Sequence, residues 1–257
     1  MTRTSEVAEY LDDILESSSI PDYPNAVNGL QLANRGEVSC VAAAVDFSGR
    51  TIAGAIEAGA DLLLVHHGMF WGGARPITGA SYDRIRSLLD YDVAVYSSHL
   101  PLDRHQQFGN NVLLSEELGL ASSGEFASFK GKSIGVRGES DISTSVLIER
   151  VSAFASRHGG SVVATPAGEE RRTFHWAICT GAGASAETLQ EAVDTGIDTL
   201  VVGEGPHWTA VEAAELGIVV IYAGHYATET LGVAALARHI GERFSLEYRI
   251  IDAPTGL

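Results

Sequence analysis

The chain repeats itself. A shift of 137 residues carries Gly59, Asp61 and Trp71 onto Gly196, Asp198 and Trp208 without a gap, and a shift of 126 carries Tyr96, His99 and Asp103 onto Tyr222, His225 and Glu229. The two halves are therefore variations on one unit. In the first half, residues 39–47, 61–65 and 93–97 read as short apolar strands, with helical stretches over 51–58 and 81–90 between them. In the second half, strands over 177–180, 199–202 and 219–223 alternate with helices over 186–193 and 210–216. This rhythm is that of a parallel sheet with helices on its faces. The predicted class is α/β: two similar strand–helix–strand lobes, residues 1–124 and 125–257, with a metal site between them. The boundary falls in the Ser/Gly-rich stretch 121–124. A helix over 230–243 and a strand around 246–251 can return to the first lobe.

Further elements are predicted outside the repeat. Val7, Tyr10, Leu11, Ile14 and Leu15 fall at helical spacing behind a Ser5-Glu6 cap. Residues 133–137 and 161–164 read as extra strands flanking a helix over 144–157.

Charge narrows the function. The 33 acidic residues outnumber 17 basic ones, for a net charge of -16, and the only lysines are Lys130 and Lys132. Such a surface repels phosphate backbones, which argues against non-specific nucleic-acid binding. It also suits a salt-rich cytoplasm, where ions screen self-repulsion, or an acidic mesophile that favours arginine. Cys40 and Cys179 sit in apolar strands and read as buried thiols of a reducing compartment. No apolar run reaches membrane-spanning length and no secretory pattern opens the chain, so the expectation is a cytoplasmic protein with no membrane partner.

Metal-ligand residue types stand at matching places in the repeat. His66-His67-Gly68 follows one strand, His99 with Asp103 another, and His225 with Glu229 a third. Ligands collect at the carboxyl ends of parallel strands. Neighbouring side chains on a strand point to opposite faces, so His66 and His67 can share a site only if the chain turns at once, as Gly68 permits. His225 and Glu229 are four apart, on one face of a helical turn. Imidazole with carboxylate favours Zn, Fe, Mn, Co or Ni over Ca or Mg. His105 and His207 lie near the predicted site edge, whereas His158, His175 and His239 read as surface or packing residues. Gly181-Ala182-Gly183 is a tight turn rather than a dinucleotide fingerprint, for it lacks the third glycine.

The segments Asn28-Gly29-Leu30-Gln31, His66-His67-Gly68-Met69-Phe70-Trp71, His99-Leu100-Pro101-Leu102-Asp103, Gly203-Glu204-Gly205-Pro206-His207 and Gly224-His225-Tyr226-Ala227-Thr228-Glu229 carry a further reading. Through them the chain closely resembles the short form of the dinuclear metal centre hexameric proteins. That family is named after the yeast Ngg-interacting factor three, and its members are also named as homologues of a type-two GTP cyclohydrolase. The ending Asp252-Ala253-Pro254-Thr255-Gly256 departs from the family's Asp-x-Pro-Asn-Pro. The resemblance implies two divalent transition ions per subunit, Zn, Fe or Mn foremost, held by His66, His67, Asp103, His225 and Glu229. Glu229 would bridge, with His67 and Asp103 on one ion and His66 and His225 on the other. It also implies a homo-oligomer, a hexamer built as a trimer of dimers.

His99 holds the place in the first half that His225 holds in the second, yet it is not among the implied ligands. The expectation is a residue at the rim of the site that shuttles a proton or holds substrate. A two-metal centre of this kind fits a hydrolase acting on a small molecule: a nucleotide, a phosphoester or a cyclic C–N bond. Arg75 and Arg104 are candidates for gripping phosphate. The alternatives from other classes are a metal-handling protein without turnover and a regulatory partner.

Overall fold

The apolar runs of the first half become strands because nearly every residue in them is buried. The computed structural model describes residues 2–257. These divide into two units, one holding residues up to Leu102 with Gly232–Ala253, the other Asp103–Leu231 with Pro254–Leu257. The first begins with β1 (Thr2–Arg3), α1 (Thr4–Ile14), β2 (Gly29–Leu32), β3 (Glu37–Val38) and β4 (Cys40–Asp46). It continues through α2 (Gly49–Glu57), β5 (Leu62–His67), α3 (Ala80–Asp90), β6 (Ala94–Ser97) and α4 (Leu100–Asp103). Strands β4, β5 and β6 run parallel, and β2 lies antiparallel to β6. All of β5 and β6 is buried, the pattern of a parallel sheet covered on both faces, so these strands lack polar alternation. Helix α1 starts one residue earlier than its expected cap. Its N-cap is Arg3, with no side-chain bond, and Ser5 lies inside the helix.

The second unit comprises α5 (Asn110–Glu117), β7 (Ser122–Phe129), β8 (Lys132–Ser143), α6 (Thr144–Arg157), β9 (Val163–Ala164) and β10 (Arg172–Cys179). It then runs through α7 (Ala186–Asp194), β11 (Thr199–Val202), α8 (His207–Glu215), β12 (Val219–Tyr222) and α9 (His225–Thr228). Its sheet has the order β7-β8-β10-β11-β12-β9, with β10, β11 and β12 parallel. Alternate residues of these strands enter different cores: Trp176, Ile178, Val201 and Ile221 one, Ala177, Leu200, Val202 and Val220 the other.

The boundary differs from the sequence expectation. The stretch read as a boundary, 121–124, instead leads into β7, which pairs with β8 from Ser122↔Gly138 onward. The chain passes between units at Leu102 and Asp103. Small, mostly exposed residues at the start of β7 resemble a linker until the ladder is seen. After α10 (Thr230–Phe244), β13 (Glu247–Ile250) pairs parallel with β4. The first unit's sheet is thereby completed in the order β13-β4-β5-β6-β2.

The repeat extends to details that fix the strand starts. Asp61 Oδ2 accepts from Ser39 N at 2.7 Å, Ser39 Oγ at 2.7 Å and Cys40 N at 3.0 Å. Its equivalent Asp198 accepts through Oδ2 from Phe174 N at 2.9 Å and His175 N at 2.8 Å. Capping boxes also match, Ser48 with Thr51 on α2 and Ser185 with Thr188 on α7.

These carboxylate clasps give a stability test. Asp61→Ala and Asp198→Ala are each expected to lower unfolding free energy by about 1.5–3 kcal/mol in urea titrations, the range for hydrogen bonds to charged groups. A change within error for both would show that the clasps are ornamental.

Candidate metal centre

In the first unit the ladder itself builds a histidine cluster. Asp46 and His67 are register partners on β4 and β5, and the His67 Nδ1–Asp46 Oδ1 distance is 2.8 Å. His66 sets its Nδ1 2.8 Å from the Ser98 carbonyl, while Ser97 Oγ donates to the His66 carbonyl at 3.1 Å. His99 lies just beyond β6, its Nδ1 2.8 Å from Asp22 Oδ1 and its backbone N–H on Asn28 Oδ1 at 2.8 Å. Asp22 Oδ2 also accepts from Leu100 N at 2.9 Å and Asn28 Nδ2 at 2.9 Å. Burial opposes charge on Asp22, but the His99 hydrogen bond and charge outweigh it and hold the carboxyl below the usual range.

His66, His67 and His99 are all buried, and their ligand atoms lie within 4.8 Å of one another. Anchoring Nδ1 to an oxygen selects the tautomer in which Nε2 carries the electron pair, as metal-bound histidines require. The His66 and His67 rings are 4.8 Å apart at 52°, so the end of β5 does not send them to opposite faces. The chain turns at once after β5, with Trp71 N–H donating to the Gly68 carbonyl at 3.2 Å, and Gly68 is needed there for a second reason. Its φ is not positive, but a Cβ would strike the Gln31 amide, whose Oε1 accepts from Met69 N at 2.7 Å. Trp71 rests its indole 4.9 Å from the His67 ring and 4.4 Å from the His99 ring.

The second unit holds the carboxylates. Asp103 Oδ1 accepts from Asn110 Nδ2 at 2.8 Å and from Thr180 Oγ1 at 3.5 Å. Asn111 braces the same corner, donating to the Asp103 carbonyl at 3.2 Å and accepting from Thr180 N at 2.8 Å. His225 opens α9 and Glu229 follows its end, with His225 Nε2 3.1 Å from Glu229 Oε2. On its other side His225 Nδ1 is 2.8 Å from Glu204 Oε1. Burial disfavours the charged ring, but Glu229 and then Glu204 overcome this and raise its pKa to about 9. Gly181, at φ +62°, lets the backbone pass the site: a Cβ there would collide with the Glu229 carboxylate. Its N–H donates to Thr228 Oγ1 at 3.1 Å.

The other expected residues sort by their contacts. His105 Nδ1 accepts from Gln107 N and Phe108 N at 3.1 Å each, shaping a loop. His207 is exposed at the start of α8. His158 lies against Phe154, His175 is exposed on β10, and His239 Nε2 is 2.6 Å from the Tyr10 hydroxyl. Arg104 donates to the Ser133 carbonyl at 3.3 Å and lies 3.9 Å from Glu125, so it is engaged within its own unit. Sequence reasoning missed Asp22 and Asp46, and it named Glu204 and Gly181 without their contacts to His225 and Glu229. Asp46 could have been found, and Glu204 singled out, as acids at strand ends, next to the histidine segments in the predicted sheet.

The chain is similar to known proteins over nearly its whole length. The family model Duf34/NIF3 (NGG1p interacting factor 3) matches residues 2–255. The GTP cyclohydrolase 1 type 2 homologue of Halobacterium salinarum is 40% identical over 98% of this chain and 99% of its own. The solved structure of protein ybgI has 32% identity and a TM-score of 0.89, covering 100% of both chains. That of TTHA1606 from Thermus thermophilus has 35% identity and a TM-score of 0.85, again covering 100% of both.

Two outcomes follow from the second unit. Gly181→Ala should leave the fold intact, by circular dichroism, while cutting bound metal by half or more through displacement of Glu229; full metal content would show that the carboxylate need not stay where it is. The raised His225 pKa sets a sign for metal-free protein. Charged His225 contributes stability that is fully present below about 6.5 and lost as pH rises through about 9. Thermal scans of chelator-treated protein should show this decline across that window, and His225→Gln should flatten it. Metal affinity should rise over the same window, because the ion displaces a proton.

Proposed function

Because the chain belongs to the Duf34/NIF3 family, we propose that His66, His67, Asp103, His225 and Glu229 hold two divalent transition ions and serve a hydrolase. Its substrate would be a nucleotide, a phosphoester or a cyclic C–N bond. One observation carries this reading: each imidazole of the set has its Nδ1 fixed by an oxygen, from Ser98, Asp46 or Glu204. The chemistry of the donors, three imidazoles and two carboxylates, fits Zn, Fe or Mn. Glu229 is the proposed bridge, with His67 and Asp103 on one ion and His66 and His225 on the other.

Two such ions, when bound, supply hydroxide near neutral pH and a clamp for the oxygens of a displacement. The protein's own part is orientation and proton transfer. Asn110 and Thr180 hold the Asp103 carboxylate, and Asp46 and Glu204 keep their histidines from rotating. His99, backed by the buried Asp22 carboxylate, is suited to take a proton from an attacking water and return it to a leaving group. We further propose a hexamer, and a salt-rich cytoplasm as its setting. The acidic composition and the two buried free cysteines support that compartment. No helix among the described residues is long and apolar enough to cross a membrane.

The test joins elemental analysis to turnover. Purified protein loaded with Zn, Fe or Mn should carry two ions per chain and hydrolyse a member of a panel of nucleotides and phosphoesters. Glu229→Gln should lose both metal and turnover, whereas His99→Ala should keep its metal and lose about 10²–10⁴-fold in rate, the usual worth of a general acid–base. Exchangeable metal without turnover on any substrate would favour metal handling instead. A metal-free native protein, or turnover unchanged in Glu229→Gln, would end the hydrolase reading.

A further inference from the structure

The first unit contains a cavity of about 550 Å³ whose wall includes His67 and its partner Asp46. This size lies in the range of small-molecule sites. Phe47, Phe70 and Trp71 give it aromatic surface, and Arg75 and Arg84 give it positive charge. Phe70 and Trp71 are 36% and 37% exposed, so both rings remain reachable from solvent.

The charge balance is unusual for this chain. Acids outnumber bases by 33 to 17 overall, yet Asp46 is the only carboxylate among the described lining residues, and it is engaged by His67. Arg84 is the more telling of the two arginines. Its Nη2 donates to Ser81 Oγ at 3.4 Å and its Cζ lies 5.9 Å from the centre of the Phe47 ring. Its Nε is buried without a hydrogen-bond partner, and no carboxylate among the described residues pairs with it. This half-buried guanidinium with its unpartnered Nε stands to gain from an anion, and its planar fork matches phosphate or carboxylate. Arg75 is held nearby by its Nε bond to the Gly72 carbonyl at 3.0 Å. The aromatic walls select for flatness, because stacked rings gain beyond the area they bury.

We propose that this cavity binds the substrate's planar aromatic or heteroaromatic ring together with an anionic group on it, with Arg84 receiving the anion and Trp71 and Phe70 the ring. The inference rests on the hydrolase reading only in making the ligand a substrate. Trp71 then joins the two regions, since its indole also lies against His67 and His99.

Calorimetric titration of the full chain tests it, with metal loaded and after chelation, so that anions captured by metal are separated from those captured by the cavity. The probes are 5′-AMP, with adenosine and inorganic phosphate as its parts, and 2-naphthoate, with neutral 2-naphthamide and acetate standing for its ring and its anion. In both metal states at least one ring–anion probe should bind about tenfold or more tighter than either part, a difference of about 1.4 kcal/mol. Arg84→Gln should weaken it about tenfold, and the surface variant Phe70→Ala severalfold, with metal content by elemental analysis unchanged in both. The proposal falls if neither ring–anion probe binds more tightly than about 1 mM. It also falls if both variants bind as well as the parent protein. Probe binding by a protein that takes up no metal even on loading would sustain the cavity and remove the hydrolase reading; two bound ions with no probe binding would do the reverse.

Discussion

An imidazole ring offers two nitrogens, and which one is usable depends on what holds the other. In this protein an oxygen acceptor grips the Nδ1 side of His66, His67, His99 and His225 alike, from Ser98, Asp46, Asp22 and Glu204. The folds of both units serve this arrangement. Parallel pairing of β4 with β5 sets Asp46 beside His67, and pairing of β5 with β6 carries Ser98 to His66. Without those ladders the same residues would be isolated polar groups in an apolar interior, at considerable cost.

The internal repeat explains why the two units look alike but carry different chemistry. At the 137 offset His67 corresponds to Glu204 and Asp46 to Gly183; at the 126 offset His99 corresponds to His225 and Asp103 to Glu229. The helix caps and strand clasps survived in both copies. The positions at the strand ends differ, so that one copy carries His66, His67 and His99 where the other has Gly203, Glu204 and His225. A scaffold that fixes its backbone by local capping leaves its strand-end side chains free to vary.

Much of this was legible in the sequence, and the residues show why. Strands such as β5 and β11 announce themselves as short apolar runs, and the histidines directly after or near them are visible by eye. The supporting acids were not, because Asp22 meets His99 across 77 positions and no spacing rule spans that distance. Strand β7 was hidden by its serines and glycine, whose extended pairing is decided by β8 and not by their own propensity. The turn at Gly68 was legible, but not its second cause: the neighbouring Gln31 side chain, invisible to local rules, requires a residue without a Cβ there.

The parallel pairing of β13 with β4 joins residue 247 to residue 40. During synthesis, β4 emerges roughly two hundred residues before the strand that will cover its open edge, at elongation rates of about 5–20 residues per second. For that interval the nascent first unit carries an unshielded, apolar sheet margin, the type of surface on which stray chains add. Biogenesis of the first unit is thus tied to β13, and a variant lacking that strand would leave the edge of β4 permanently exposed.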